Sequence, residues 1–340
     1  MTKIIRKLKK SGLTGKGGAG FPVWQKWQAV SQAKGDVPPS LLRSFGEAKK
    51  YIIANGSEGE PMIFKDKYIL ENYPAEVIDA IKIALRFLGK KSQAYIYLNS
   101  AYYAQFKEKL LLLIGELPIL LFEEKAGYLG GEETTLLNII EQKPTEPRIK
   151  PPFPTTAGLW GKPTLIQNIE TLYWISKIAK GEYKGNRFYS IEGDIKNRGV
   201  FELPETATIE QVLRQTNNFP DFDFFVQAGG GASGEILLPQ ELDKSLKGTG
   251  AVLVYNRATT DILSLMRGWA EFFNNSNCDK CLPCREGVYR ILEIVSGPKE
   301  KILQEKEKLL DILAVLEKTT FCPLGKMSAV PFQSALAKLL

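Results

Sequence analysis

A chain of 340 residues is long enough for roughly two or three domains. With 44% hydrophobic and 24% charged residues it can bury sizeable cores without disulfides, which excludes a disordered or fibrous protein. The net charge of +7 comes without any nucleic-acid motif and is read as a solvated basic face, so no nucleic-acid partner is expected. Histidine is absent. That removes Ser-His-Asp and Cys-His nucleophile systems and every His-ligated metal site, and favours chemistry carried by a bound cofactor.

The chain opens on a lysine-rich stretch, Lys3 to Lys10, with no continuous apolar segment behind it, so it is not read as a signal peptide. Gly15, Lys16, Gly17, Gly18, Ala19 and Gly20 then satisfy G-x-G-x-x-G. The dinucleotide fingerprint also demands a preceding strand and an acidic residue about 20 positions on. Neither is evident, and the ordinary Rossmann assignment is rejected. What remains is a loop whose missing Cβ atoms and exposed N–H groups let a phosphate or a planar ring approach.

Tyr51 to Ala54 reads as a buried strand that enters a polar loop, Asn55, Gly56, Ser57, Glu58, Gly59 and Glu60. Open α/β sheets bind ligands at such C-terminal strand ends. The most apolar stretch, Leu110 to Phe122, is broken by Gly115, Glu116 and Pro118. It is too short to span a bilayer, which needs about 20 apolar residues, so a cytoplasmic protein is expected, with any membrane contact supplied by a partner. Gly130 and Gly131, followed by Glu132 and Glu133, open a helical pattern. Lys150 and Phe153 lie in a proline-rich segment, and Gln167, Asn168 and Thr171 close the series. Singly, each of these elements reads as a turn or a cap; it is their joint occurrence that carries information.

The last part of the chain has helical apolar spacing over residues 260–273, 286–295, 301–316 and 327–340. It also carries the four cysteines. Cys278, Cys281 and Cys284 are spaced C-x2-C-x2-C, and Cys322 follows far downstream, before Pro323. Three thiolates from one loop can meet three corners of a cubane cluster, and a helical hairpin between Cys284 and Cys322 would return the fourth. The reading is one [4Fe–4S] cluster. A four-thiolate zinc site is the alternative, although such sites usually pair their ligands as two separate C-x2-C knuckles.

Taken in order, the glycine loop, the Asn55-to-Glu60 loop, the Gly131-Glu132-Glu133 motif, the Lys150-to-Thr171 segment and the cysteines resemble the NADH-binding flavoprotein subunit of respiratory complex I. The likeness extends to its relatives in NAD-linked hydrogenases and formate dehydrogenases. It implies an α/β fold with an FMN- and NADH-binding domain over 1–183, a small β-grasp-like domain over 184–256 and a helical iron–sulfur domain over 257–340. In that reading the run Gly229, Gly230, Gly231 of the middle domain is a structural turn, not a second phosphate loop.

The resemblance also implies an NADH-oxidising flavin-dependent oxidoreductase subunit, in which hydride passes from NADH to FMN and electrons then leave singly for the cluster and partner subunits. FMN would lie on Gly15, Lys16, Gly17, Gly18, Lys26, Asn55, Ser57, Gly131 and Glu132, with Gln167, Asn168 and Thr171 on its phosphate side. NADH would stack on Phe21 and meet Glu60, Glu133, Lys150 and Phe153. Glu58 would sit where the nicotinamide meets the flavin, and Lys26 would steady negative charge there. The implied partners are a thioredoxin-like [2Fe–2S] subunit and a multi-cluster electron-transfer subunit.

The chain departs from the family where Ser57 replaces Asp, Gln167 replaces Asn and Ala29 replaces an aromatic residue, and it looks trimmed at its N-terminus. Ser57 and Ala29 motivate the alternative of a non-catalytic, cluster-bearing subunit with a degenerate flavin site.

Overall fold

A computed structural model describes residues 2–33 and 49–340. It forms two compact units, Met1–Gly59 with Phe64–Asn186, and Glu60–Ile63 with Arg187–Leu340.

The first unit is built on four parallel strands: β1 (Lys50–Gly56), β2 (Ser92–Asn99), β3 (Ile119–Glu124) and β4 (Thr164–Asn168). Tyr51, Ile52, Ile53 and Ala54 are all buried, as a parallel sheet covered on both faces requires. On one face Tyr51, Ile53, Tyr97 and Ile166 pack with Leu136 and Leu137. The helices Pro74–Leu88 and Ile169–Lys180 pack against β1 from outside the sheet. The strand order is β3-β2-β1-β4. The chain therefore runs outward from β1 to one edge and then returns to the far side of β1. The reversal makes a switch point between the C-terminal ends of β1 and β4, where open α/β sheets have their ligand crevice. The apolar stretch at residues 110–122 divides between the end of the helix Ser100–Ile114 and β3.

In the second unit β5 (Asn186–Gly193), β6 (Gly199–Pro204), β7 (Phe224–Ala228), β8 (Glu235–Leu237) and β9 (Ala251–Asn256) form one sheet in the order β6-β5-β9-β7-β8. β5 and β9 are parallel, whereas β7 runs antiparallel to both β8 and β9. The helix Ile209–Gln215 starts at a capping box made by Thr208 and Gln211. Its Val212 and Leu213 join Tyr189, Ile191, Val226 and Val254 in the core. One helix over a mixed sheet with a central parallel pair is a β-grasp-like arrangement.

The helices Ile262–Ser276, Leu282–Val295, Lys299–Gln304, Lys306–Thr319, Pro323–Met327 and Ala329–Lys338 follow. The predicted helix at 301–316 is interrupted at Glu305, whose backbone (φ −96°, ψ 14°) leaves the helical region. Leu282–Val295 and Lys306–Thr319 pack as a hairpin. Gly287 permits their approach, since a Cβ there would stand 3.0 Å from a Leu316 methyl. Among the described residues no helix is long and apolar enough to cross a membrane.

Candidate cofactor site and cysteine cluster

The glycine loop is closed by an antiparallel bridge between Thr14 and Pro22 and by the Gly15 N–H, which donates to the Phe21 carbonyl at 2.9 Å. Gly18 (φ +107°) and Gly20 (φ +62°) turn the loop through left-handed backbone that favours glycine. A helix, Lys3–Ser11, precedes it where a dinucleotide fold would have a strand. The position about 20 residues downstream of the glycines, where that fold has its acidic residue, lies outside the described residues.

This loop rests on the start of the helix Ile169–Lys180. The Lys16 N–H donates to Thr171 Oγ1 at 2.9 Å, and a Cβ on Gly17 would lie 3.1 Å from the Cβ of Asn168. Asn168 ends β4 and caps the helix, its Oδ1 accepting the Glu170 N–H at 3.0 Å. The helix N-terminus and the glycine backbone thus meet at the switch point, as binding of an anion such as a phosphate requires, and Lys16 beside them is buried (2% exposed).

Across the switch point, Asn55 at the end of β1 donates from Nδ2 to the Gly131 carbonyl at 2.8 Å and accepts the Ser57 N–H at 3.2 Å. Gly131 allows the two loops to meet, because a Cβ there would stand 2.9 Å from the Ser57 carbonyl oxygen. Glu132 caps the helix Thr135–Ile140, one oxygen accepting the N–H groups of Thr134 and Thr135, both at 2.8 Å.

The other Glu132 oxygen meets Lys150 Nζ at 3.0 Å, and Lys150 also holds Glu133 at 3.0 Å. The remaining Glu133 oxygen pairs with Lys26 Nζ at 3.1 Å, and Lys26 donates as well to the Ile166 carbonyl on β4 at 3.2 Å. Burial alone would raise the Glu133 carboxyl, but the two ammonium groups outweigh it and hold that carboxyl below its ordinary range. Burial likewise opposes the charge on Lys150, and the two glutamates overcome it and push the ammonium up. Lys26, the adjacent Glu132 and Glu133, and Lys150, drawn from three separate segments, form one charge-balanced chain.

These groups fit a flavin phosphate and ring edge. Gln167, buried on β4 beside Asn168, has a side-chain Nε2 with no hydrogen-bond partner in the protein, a donor left for a ligand. Phe21 and Phe153 are half exposed (50% and 54%). Each stands just ahead of a helix, Val23–Gln32 and Pro154–Ala157, and those helices pack together.

Glu58 faces inward. Its carboxylate accepts the N–H groups of Asp66 and Lys67 at the start of the helix Lys65–Asn72 and the Tyr102 hydroxyl at 2.8 Å. Lys65 Nζ lies 3.8 Å from Glu58, 2.6 Å from Asp66 and 3.5 Å from Glu170, all four side chains being buried. Burial, then the negative charge of Asp66, pushes the Glu58 carboxyl up to about 7. Asn168 ties this network to the glycine loop by donating from Nδ2 to Asp66 at 2.5 Å. Sequence reasoning missed Lys65, Asp66, Tyr102 and Glu170. The run Lys65, Asp66, Lys67 carries the charge pattern of a solvated helix start, and nothing local marks its first two side chains as buried.

Glu60 belongs to the second unit. Its buried carboxylate accepts the N–H groups of Ala232 and Ser233 at 3.1 and 2.8 Å and the Ser233 hydroxyl at 2.6 Å. The amides after the Gly229-Gly230-Gly231 run are thus taken by a side chain of the protein itself, as a structural turn would have them. Gly231 admits no side chain, since a Cβ would sit 1.7 Å from the Pro61 carbonyl oxygen.

Within the same unit the four cysteine thiols come together. Cys281 and Cys322 are the N-caps of Leu282–Val295 and Pro323–Met327, and Cys284 lies in the first turn of the former. Asp279, in left-handed backbone (φ +56°), turns the loop between Cys278 and Cys281. Cys284 and Cys322 are buried, Cys278 and Cys281 partly so, and no disulfide joins them. Burial, and then the negative charge of Cys281, Cys322 and Cys278, pushes the Cys284 thiol up to about 12. Such mutual repulsion is what a cationic metal core relieves, with release of protons. Among the described residues no three His, Cys, Asp or Glu side chains are gathered to hold a single metal ion. A cube of four irons sets its ligands wider than one ion does.

Comparison with known proteins agrees with this geometry. The family described as Nuo51 FMN-binding domain matches residues 8–177, and that described as NADH-ubiquinone oxidoreductase-F iron-sulfur binding region matches residues 264–339. An NADH-quinone oxidoreductase subunit of Buchnera aphidicola is 31% identical over 380 aligned positions, covering 98% of this chain and 82% of that protein. Its namesake in Aquifex aeolicus is 31% identical, covering 99% and 84%. A crystal structure of NAD+-reducing [NiFe]-hydrogenase in the H2-reduced state superposes with a TM-score of 0.84 at 26% identity. The match covers 98% of this chain, which spans 60% of the hydrogenase chain. A glycine loop on a helix N-terminus at the switch point, followed by four convergent cysteines, is thus the arrangement of a known lineage, and the chain belongs to the family of NADH-quinone oxidoreductase subunits that combine an FMN-binding domain with a [4Fe–4S]-binding region.

Proposed function

We propose that this chain is the NADH-oxidising subunit of a larger redox assembly, passing electrons from NADH through FMN to one [4Fe–4S] cluster and on to partner subunits. The observation that carries this reading is the glycine loop seated on the N-terminus of Ile169–Lys180 through Lys16 and Thr171, beside the unpartnered Nε2 of Gln167. When bound, FMN accepts two electrons as a hydride and gives them up singly, and a cluster takes one at a time.

The chain's own residues bind and orient. Lys16, Gly17, Gly18, Asn168 and Thr171 hold the phosphate side, and Gln167 donates its free N–H. Lys26 sets positive charge near the ring, while Asn55 and Gly131 fix the edge of the pocket. Phe21 and Phe153 offer apolar faces to the nicotinamide nucleotide, and Glu133 opposes a 2′-phosphate, favouring NADH over NADPH. Glu58 acts from behind as a regulator of local charge, and Glu60 anchors its loop in the second unit. No side chain has to serve as a base, so the absence of histidine is no obstacle. Cys278, Cys281, Cys284 and Cys322 hold the cluster.

We read the chain as a flavin domain over 1–183, a β-grasp-like domain over 184–256 and a helical iron–sulfur domain over 257–340. Four cysteines supply ligands for one cluster, so electrons leave to other chains: a thioredoxin-like [2Fe–2S] subunit and a multi-cluster subunit, with membrane contact only through them. The test is to purify the chain anaerobically and assay it with NADH. Flavin bleaching and ferricyanide reduction with negligible quinone reduction are expected. Rapid, inhibitor-sensitive quinone reduction by the chain alone would overturn the relay reading, and a protein with a cluster and no flavin would identify a non-catalytic subunit.

A further inference from the structure

Glu124, at the end of β3, is not among the residues that the motifs single out, yet it is buried against the Asn55-to-Ser57 loop. The Ser57 hydroxyl donates to Glu124 Oε2 at 2.8 Å. The other oxygen accepts the Ala126 N–H, and the Gly127 N–H also donates to the carboxylate. Room for the carboxyl exists because residue 130 is glycine: a Cβ there would stand 2.6 Å from Glu124 Oε1. The Gly130 carbonyl is fixed in turn by the Tyr97 hydroxyl at 3.0 Å. The next residue, Gly131, accepts from Asn55. One buried carboxyl therefore ties the Asn55-to-Ser57 loop to the 126–131 loop.

We propose that Glu124 is a positioning residue of the flavin site: its buried carboxyl holds the two loops in the register in which Asn55 and Gly131 meet FMN. The inference rests on the reading of this crevice as an FMN site. Its physical content is that the pocket has room for one carboxyl at this point. An acid on residue 57 would lie at hydrogen-bonding distance from the acid on residue 124, and two carboxylates that close cannot both be ionised. Tyr97 is the titratable group that faces Glu124 from β2, while Glu123 and Lys125, its chain neighbours, pair with each other at 3.3 Å.

The experiment measures FMN affinity of the flavin-stripped full chain by quenching of free flavin fluorescence at pH 6 and pH 8, with thermal melts as folding controls. Wild type binds at both pH values; a wild-type chain that binds no FMN refutes the flavin-site reading itself and is a separate outcome. Ser57→Asp is expected to weaken binding about tenfold at pH 8 and to recover at pH 6, where the pair shares a proton. Gly130→Ala, which displaces the carboxyl without changing charge, is expected to weaken binding about tenfold at both pH values. In Glu124→Gln, which is itself weakened, adding Ser57→Asp is expected to strengthen binding, so the same substitution has opposite signs in the two backgrounds. If Ser57→Asp does not fold alone, the comparison of Glu124→Gln with the double variant still decides. Wild-type affinity in Ser57→Asp at pH 8, or a double variant no tighter than Glu124→Gln, overturns the proposal.

Discussion

Lys26 and Glu133, 107 residues apart in sequence, meet at 3.1 Å, and the second oxygen of Glu133 is held by Lys150 at 3.0 Å. A carboxylate clamped between two ammonium groups stays ionised. Its folded pKa is lowered, so its contribution to stability is complete above the ordinary carboxylate range and is lost only as pH falls below about 4.5. Titration of Glu133 should therefore not alter the preference for NADH over NADPH between pH 6 and pH 8. Glu133→Gln is expected to narrow that preference about tenfold, and Lys26→Ala to weaken flavin or NADH binding by a similar factor. Stopped-flow flavin bleaching with each nucleotide and equilibrium titrations check both. Equal rates with NADH and NADPH in the wild type would remove the role given to Glu133.

Glu58 supplies a prediction of opposite sign. Its folded pKa, about 7, stands above the ordinary 4.5, so its contribution to stability is complete below pH 4.5 and is lost as pH rises toward and through 7. Glu58→Gln should flatten this part of the stability curve, gaining on the wild type by roughly 2 kcal/mol between pH 5 and pH 8. Chemical denaturation across that range measures the difference. Parallel curves for the two proteins would show that Glu58 does not titrate there.

Lys65 is the cation for three buried carboxylates. Lys65→Met leaves those acids without it, and the expected cost is about 3–5 kcal/mol. A loss below about 1 kcal/mol in thermal or denaturant unfolding would mean that the network is already neutralised by protons.

The cysteine assignment predicts about four irons and four sulfides per chain. Each of Cys278→Ser, Cys281→Ser, Cys284→Ser and Cys322→Ser should lose or alter the cluster while the flavin site survives, because the thiols and the glycine loop belong to different compact units. Iron analysis and electron paramagnetic resonance of the reduced protein are the measurements. An unaltered signal in Cys322→Ser would reject the fourth ligand.

Glu60→Ala strips the Ala232 and Ser233 amides of their acceptor and should cost about 1–3 kcal/mol. Gly231→Ala should cost more, since its Cβ would overlap the Pro61 carbonyl. Melting temperatures of the two variants rank these effects, and a neutral Glu60→Ala would show that water replaces the carboxylate.

The sequence by itself determined the chemistry that short-range spacing can carry. C-x2-C-x2-C keeps three thiols within one short segment whatever the rest of the chain does, and the glycine loop needs only its missing Cβ atoms. The buried strand at Tyr51 to Ala54 and the helical periodicity around the cysteines are likewise local signals, and β1 and the helices Ile262–Ser276 and Leu282–Val295 lie where those signals put them. The break at Glu305 was not legible, because the apolar spacing continues across it.

Tertiary structure decided which charged groups are buried and whom they meet. Lys65 and Glu124 look like surface residues in the sequence, and only the folding of distant segments onto them makes one a buried cation among acids and the other a clamp between loops. Glu58 and Glu60, two residues apart on one polar loop, end in different compact units with different partners. Glu58 meets the Tyr102 hydroxyl 44 positions away and Glu60 meets Ser233 173 positions away, and no local pattern of residues encodes such contacts.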